Sequence, residues 1–259
     1  MVFTEDRTMA KRYPSDVTDK QWAIVKEFFE PDVPPRGRPR KHPPRELLNG
    51  ILCVMREGFS WRGLPRDFPL WETVWTARRR WSMSGTLDRA HEALARLSQS
   101  VGIIDSTFIE SAYGGHGNSP NGYKRATGCG LHVIIGKTSR VLAACVLPGN
   151  QQDAEGARRM LPHLVRAFPT VRCILGDKAY AQQPLQAYAA KFGVTIDGRS
   201  PPLHRGTIFS PMPLRWRVER LFSWVCKWRR IAKNWCHSIW GYAHDVAWTL
   251  FGLMLKRSV

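Results

Sequence analysis

Apolar residues recur at helical spacing through roughly the first hundred positions and then gather into short continuous runs, so the chain changes period once along its length. Thr18-Asp-Lys-Gln21 has the form of a capping box ahead of "WAIVKEFF", which predicts a helix over 19–29. In "PRELLNGILCVMREG", proline at the start and good helix formers after it predict a second helix. Leu47, Ile51, Leu52 and Met55 share its apolar face, and Gly58 stops it. "LWETVWTARRRWSMSG" and "TLDRAHEALARLSQS" read as a third and a fourth helix separated by Gly85. Short helices joined by tight turns, the third rich in arginine, suggest a helix-turn-helix-like arrangement; a plain helical bundle is the alternative.

From about residue 100 the runs are strand-like. "VGIIDSTFIE", "GLHVIIG", "VLAACVLPG" and "VRCILGD" predict four strands, the second and third joined by the turn "KTSR". "DAEGARRMLPHLVRAF" and "PLQAYAAKFG" predict helices, "VTID" a short further strand, and "LRWRVERLFSWVCKWRRIA" one long helix. Consecutive strands followed by crossover helices make an α/β layer structure. The expected organisation is an all-α region over 1–98 and an α/β domain over 99–259. Ile239–Leu255 is the one membrane-like stretch, but His244 and Asp245 near its middle favour a packed terminal helix.

Composition adds a partner. The 259 residues carry 39 Lys and Arg against 21 Asp and Glu, a formal charge of +18, which implies a polyanion, nucleic acid first. The basic residues cluster in "RGRPRKHPPR", "ARRRW", "RWRVER" and "KWRRIAKNW", interleaved with tryptophans as on a folded surface. The six cysteines include no C-x-x-C pair, which argues against a zinc ribbon and for reduced thiols in the cytoplasm. "MVFTEDRTMAKRYP" lacks the apolar core of a signal peptide.

Three carboxylates then matter. Asp105 lies inside an apolar strand, where an unpaired charge is costly. Asp177 follows a strand, at the edge where open α/β sheets build their sites. Glu219 falls one turn after Arg215. Singly, each has a plainer reading: Asp105 paired with an arginine, Asp177 capping a helix, Glu219 bridging to Arg215. Together they suit hard divalent cations and phosphoryl transfer.

The order "IIDST", "GNQQDAEGA", "ILGDKAY", "RWRVERLFSWVCKWRRI" resembles the DDE transposases of bacterial insertion sequences, in the group named for insertion sequence five. "YPSDVTDKQWAIV", "GRPRKHPPRELLNGILCVMREGFSWRGLP" and "RRWSMSGTLDR" resemble that group's N-terminal region, so the likeness covers nearly the whole chain. It implies a ribonuclease-H-like mixed sheet flanked by helices, with Asp105, Asp177 and Glu219 as catalytic and metal-binding residues. It also implies two Mg²⁺ ions, with Mn²⁺ as a substitute, and cleavage at an element's ends followed by joining of the 3′-hydroxyls to target DNA. The partners implied are double-stranded DNA, as terminal inverted repeats and target, and a further copy of the chain, with no membrane. Arg215 and Glu219 match the family's C-terminal signature, whereas Met212 stands at its Tyr position and Cys226 at its Lys position, with Lys227 one residue late.

DNA contacts are expected from Arg36, Arg38, Arg40 and Lys41 in the basic proline-rich segment, from Arg78, Arg79 and Arg80 on the third helix, and from Lys124, Arg125, Lys178, Arg215 and Lys227 around the carboxylates. Arg36-Gly-Arg-Pro39 has the form of a minor-groove hook, with a basic linker as the equal alternative. His132 reads as structural, Asp153 as a helix-start charge, and Trp216, Trp224 and Trp228 as core. A nuclease of the same fold and a DNA-binding repressor that has lost catalysis are the competing functions.

Overall fold

The computed structural model describes residues 12–30, 41–96, 100–198 and 214–258. Four helices open it: α1 (Asp19–Phe29), α2 (Pro44–Glu57), α3 (Trp71–Met83) and α4 (Thr86–Ala95). The Thr18 hydroxyl accepts from Gln21 N–H and the Gln21 side chain accepts from Thr18 N–H, completing the capping box that starts α1. Gly58 ends α2 in the left-handed region at φ 77°.

Six strands follow: β1 (Val101–Glu110), β2 (Ser119–Asn121), β3 (Ala126–Gly136), β4 (Val141–Pro148), β5 (Cys173–Leu175) and β6 (Thr195–Asp197). β1 pairs antiparallel with β3, and β3 antiparallel with both β4 and β2; β1 pairs parallel with β5, and β5 parallel with β6. Leaving out short β2, the sheet runs β4-β3-β1-β5-β6. That order, with its second strand reversed, is the ribonuclease-H-like arrangement. β2 has no apolar pattern to betray it and contains Pro120.

Helices α5 (Asp153–Ala167) and α6 (Gln183–Ala190) cover one face, burying Ile104, Ile134 and Ile174 beneath Ala157, Leu161 and Leu185. The opposite face, with Ile103, Val133 and Ile135, shares one apolar core with α1 to α4 and with α7 (Trp216–Val225) and α9 (Ile239–Lys256). Core packing is therefore continuous across residue 98.

The long helix expected over 214–232 is two helices, α7 and α8 (Arg229–Ala232). At Trp228 the backbone is extended, and the indole is buried so closely against Gly252 of α9 that a Cβ there would lie 2.5 Å from the ring. Burying that ring takes precedence over continuing the helix. Of the other two tryptophans, Trp224 is partly buried and Trp216 is 42% exposed, with the Arg220 guanidinium lying over both rings. All six cysteines are free thiols. No described helix is long and apolar enough to cross a membrane.

Candidate active site

β5 accompanies β1 only through Ile103, so β1 runs on alone on that side and opens a crevice at Asp105. Side-chain alternation sends Asp105 to the face of Ile103, where α7 packs, and Ser106 to the face of Ile104, under α5. Asp177 enters the crevice two residues beyond β5. Its side chain accepts from Ala179 N–H at 2.8 Å and caps the 3₁₀ turn Lys178–Tyr180, so the capping role and the site position coexist. Gly176 makes this approach possible: a Cβ there would stand 2.8 Å from the Tyr180 ring and 2.9 Å from Ile104.

Asp105 accepts from Ser106 N–H at 2.8 Å and faces the Arg215 guanidinium at 3.6 Å. Burial lifts its pKa above the usual carboxylate range; the Ser106 N–H and Arg215 oppose the rise, and the nearby charge of Asp177 adds to it. Two oxygen-donor groups held close enough to repel one another suit a hard divalent cation. Glu219 is not drawn in: it is exposed on α7, and no cluster of three His, Cys, Asp or Glu side chains among the described residues is arranged to hold a metal. Arg215 turns to Asp105, so the plainer alternative of a bridge between Arg215 and Glu219 is not the one formed.

Behind Asp105 lies a polar layer that the sequence did not disclose. Ser106 donates its hydroxyl proton to Asp153 at 2.6 Å, so Asp153 does more than charge a helix start. His132 is buried opposite Ser106 in the sheet register, 3.8 Å from Asp153; burial lowers its pKa while Asp153 opposes the shift. Gly156 lets α5 cross this ring, since a Cβ there would be 2.4 Å from Nδ1. The Tyr180 hydroxyl is also buried, and burial, with the charges of Asp153, Asp105 and Asp177, keeps it protonated. A cleft of about 480 Å³ opens alongside, lined by Thr107, Lys124, Gln152, Asp153 and Gln182.

Lys41, Arg79, Arg80, Lys124, Arg125, Lys178 and Lys227 are exposed. Arg78 leaves the DNA-facing set as a correction: it is buried, and its guanidinium is ion-paired with Asp245 of α9, which Arg230 also contacts at 2.8 Å. Arg36, Arg38, Arg40 and Met212 lie outside the described residues.

The strand order, with Asp105 on β1 just past its pairing with β5 and Asp177 just beyond β5, defines a ribonuclease-H-like domain preceded by a helical region. A family model described as "Transposase DDE domain" matches residues 96–239, and one described as "Putative transposase of IS4/5 family" matches residues 17–91. The first spans more than half of the chain, and the chain belongs to the DDE transposase family, of the IS4/5 type. An uncharacterized 16.2 kDa protein of insertion element IS402 from Burkholderia cepacia is 32% identical over 94 residues, 34% of this chain and 64% of that protein. The chain thus spans just under two thirds of that curated relative's length. Among solved structures, the catalytic domain of Mos1 mariner transposase has a TM-score of 0.31 at 11% identity, covering 86% of this chain and 96% of that one. A simian T-cell lymphotropic virus intasome in complex with PP2A regulatory subunit B56 gamma has a TM-score of 0.35 at 16% identity, covering 56% of this chain and 53% of that one. At these scores the fold rests on the strand order itself.

Proposed function

We propose that the protein is a DNA transposase that cuts at the ends of an insertion element and joins the freed 3′-hydroxyls to target DNA. The observation that carries this reading is the closeness of Asp105 and Asp177 where β5 ends beside the continuing strand β1, in a chain of the DDE transposase family. Asp105 and Asp177 are the residues assigned to hold Mg²⁺ or Mn²⁺. Glu219 is assigned to complete the set from α7, one turn after the Arg215 that reaches Asp105. When bound, the metal supplies activation of the attacking oxygen and stabilisation of the leaving one.

The chain's own groups do the positioning. Ser106 N–H orients the Asp105 carboxylate, Ala179 N–H orients that of Asp177, and Arg215 brings positive charge to a crevice that phosphate must enter. Lys124 and Lys178 are exposed near the cleft and suit the DNA backbone, and the net charge of +18 suits a long polyanion. A transposase that holds both ends of its element works as at least a dimer on DNA.

The test uses duplexes bearing the flanking terminal repeats, incubated with the protein in Mg²⁺ or EDTA beside Asp177→Asn and Glu219→Gln. Joined product that needs Mg²⁺ and is lost in both variants is the expected result. Nicked product without joining would point to a nuclease, and binding without any cleavage to a repressor.

A further inference from the structure

A groove of about 420 Å³, separate from the carboxylates, runs between α3 and the segment before α9. Trp61, Trp75 and Arg79 line one side, Trp235 and His237 the other. The segment that brings Trp235 and His237 to the groove is held from behind by backbone pairing between residues 110–116 and 234–239. Ala112 N–H donates to Asn234 O at 2.8 Å, Asn234 N–H to Glu110 O at 2.9 Å, and His116 N–H to His237 O at 3.0 Å. Gly115 allows that contact, since a Cβ there would lie 2.2 Å from His237 O. The pairing fixes a platform on which Tyr113 stacks over His237 with centroids 4.9 Å apart and interplanar angle 20°.

Large rings are left in water there: Tyr113 is 59% exposed and Trp235 45%, with Trp75 at 37% across the groove. Rigidly held, exposed aromatic surface of this kind marks a binding site. Its charge selects the occupant. Asp245 is the one acidic side chain among the described residues lining the groove, and Arg78 and Arg230 both engage it. Arg79 faces solvent, and Lys233 approaches the Trp235 ring at 6.0 Å while pairing with Glu110 at 3.3 Å. A second copy of this chain docking here would set cation against cation. A nucleic-acid strand offers the opposite: flat bases for the rings and phosphates for the cations.

We infer that this groove binds an unpaired nucleotide of a single DNA strand, its base against the Trp235 and Trp75 rings and its neighbouring phosphates near Arg79 and Lys233. The inference rests on the reading that the protein acts on DNA, and extends it to a melted or frayed stretch. Ser111 lies six residue steps beyond Asp105, just past the end of β1, roughly 20 Å at about 3.3 Å per step, so a strand a few nucleotides long can connect the two places.

Binding of a short fluorescent oligothymidylate and of a fluorescent duplex to the full chain, by anisotropy, tests this with Trp235→Ala and Trp235→Phe. Circular dichroism melting checks that both variants fold. Trp235→Ala is expected to weaken oligothymidylate binding about tenfold and duplex binding less than about twofold, with Trp235→Phe near wild type. Unchanged single-strand affinity in Trp235→Ala would overturn the inference, as would a loss of self-association in sedimentation with single-strand affinity intact, which would mark a protein interface. Wild-type protein that binds duplex but no single strand removes this inference alone; protein that binds neither removes the DNA reading as well.

Discussion

The Ser106 hydroxyl donates a 2.6 Å hydrogen bond to Asp153, and the peptide N–H of that same serine holds Asp105 at 2.8 Å. One residue thereby ties the first turn of α5 to the carboxylate on the far face of the sheet. Hydrogen bonds to a charged acceptor contribute about 1.5–3 kcal/mol, enough for a tenfold effect if the geometry of Asp105 depends on this one. Ser106→Ala is expected to slow Mg²⁺-dependent cleavage by on the order of tenfold with duplex affinity unchanged, and Ser106→Thr to restore most of the rate. Single-turnover cleavage beside a binding titration checks it, and equal loss in the alanine and threonine variants would refute the clamp.

Asp245 is buried between Arg78 of α3 and Arg230 of α8. Removing the acid strands one buried and one mostly buried guanidinium, whereas removing either arginine leaves a pair. Asp245→Ala is expected to lose about 3–5 kcal/mol in urea unfolding, more than Arg78→Ala or Arg230→Ala. An Arg78→Ala loss as large as that of Asp245→Ala would show that the carboxylate is not the shared centre.

His91 faces the Val141 carbonyl through Nε2 at 3.1 Å, and since a carbonyl only accepts, Nε2 carries the proton. Burial lowers its pKa from 6.5 to about 4, with the Val141 contact opposing the shift and His163 adding to it. The unfolded chain therefore binds the extra proton first, and stability falls as pH drops from about 6.5 to about 4, by at most about 1.4 kcal/mol per unit from this residue. His91→Gln keeps a donor and cannot titrate, so its melting temperature is expected to decline less steeply across that window. Parallel profiles for the two proteins would exclude His91 as the source.

Gly156 lets α5 cross His132, with a would-be Cβ 2.4 Å from the ring. Gly156→Ala is expected to destabilise by about 1–3 kcal/mol through overpacking, and much of that loss should vanish when His132 is alanine too. Additive losses in this double-mutant cycle would place the strain elsewhere.

Element type was legible wherever one local signal governed it. The Thr18 and Gln21 cap, the Gly58 stop and the apolar run around Ile103 and Ile104 act within a few residues, and each element forms where they direct. What stayed hidden depends on partners far along the chain. The helix break at Trp228 answers to Gly252, and the burial of Arg78 answers to Asp245, 167 residues away. At the site, the place of Asp105 in a strand and of Asp177 where the chain leaves one followed from pattern, but the bonding of Ser106 to Asp153 needs α5 laid across the sheet. The backbone-built platform under Tyr113 and Trp235 leaves no periodicity at all.

The core that α1 to α4 share with α9 and the Ile103 face of the sheet makes the molecule a caliper with fused jaws. Leu48, Ile51, Trp248, Phe251 and Val133 sit in one apolar cluster, so the helical region cannot shift against β1 without exposing that interior. Under the proposed function, the number of base pairs between the sequence gripped and the phosphate cut is then a length set when the protein folds, and changing it means redrawing the core.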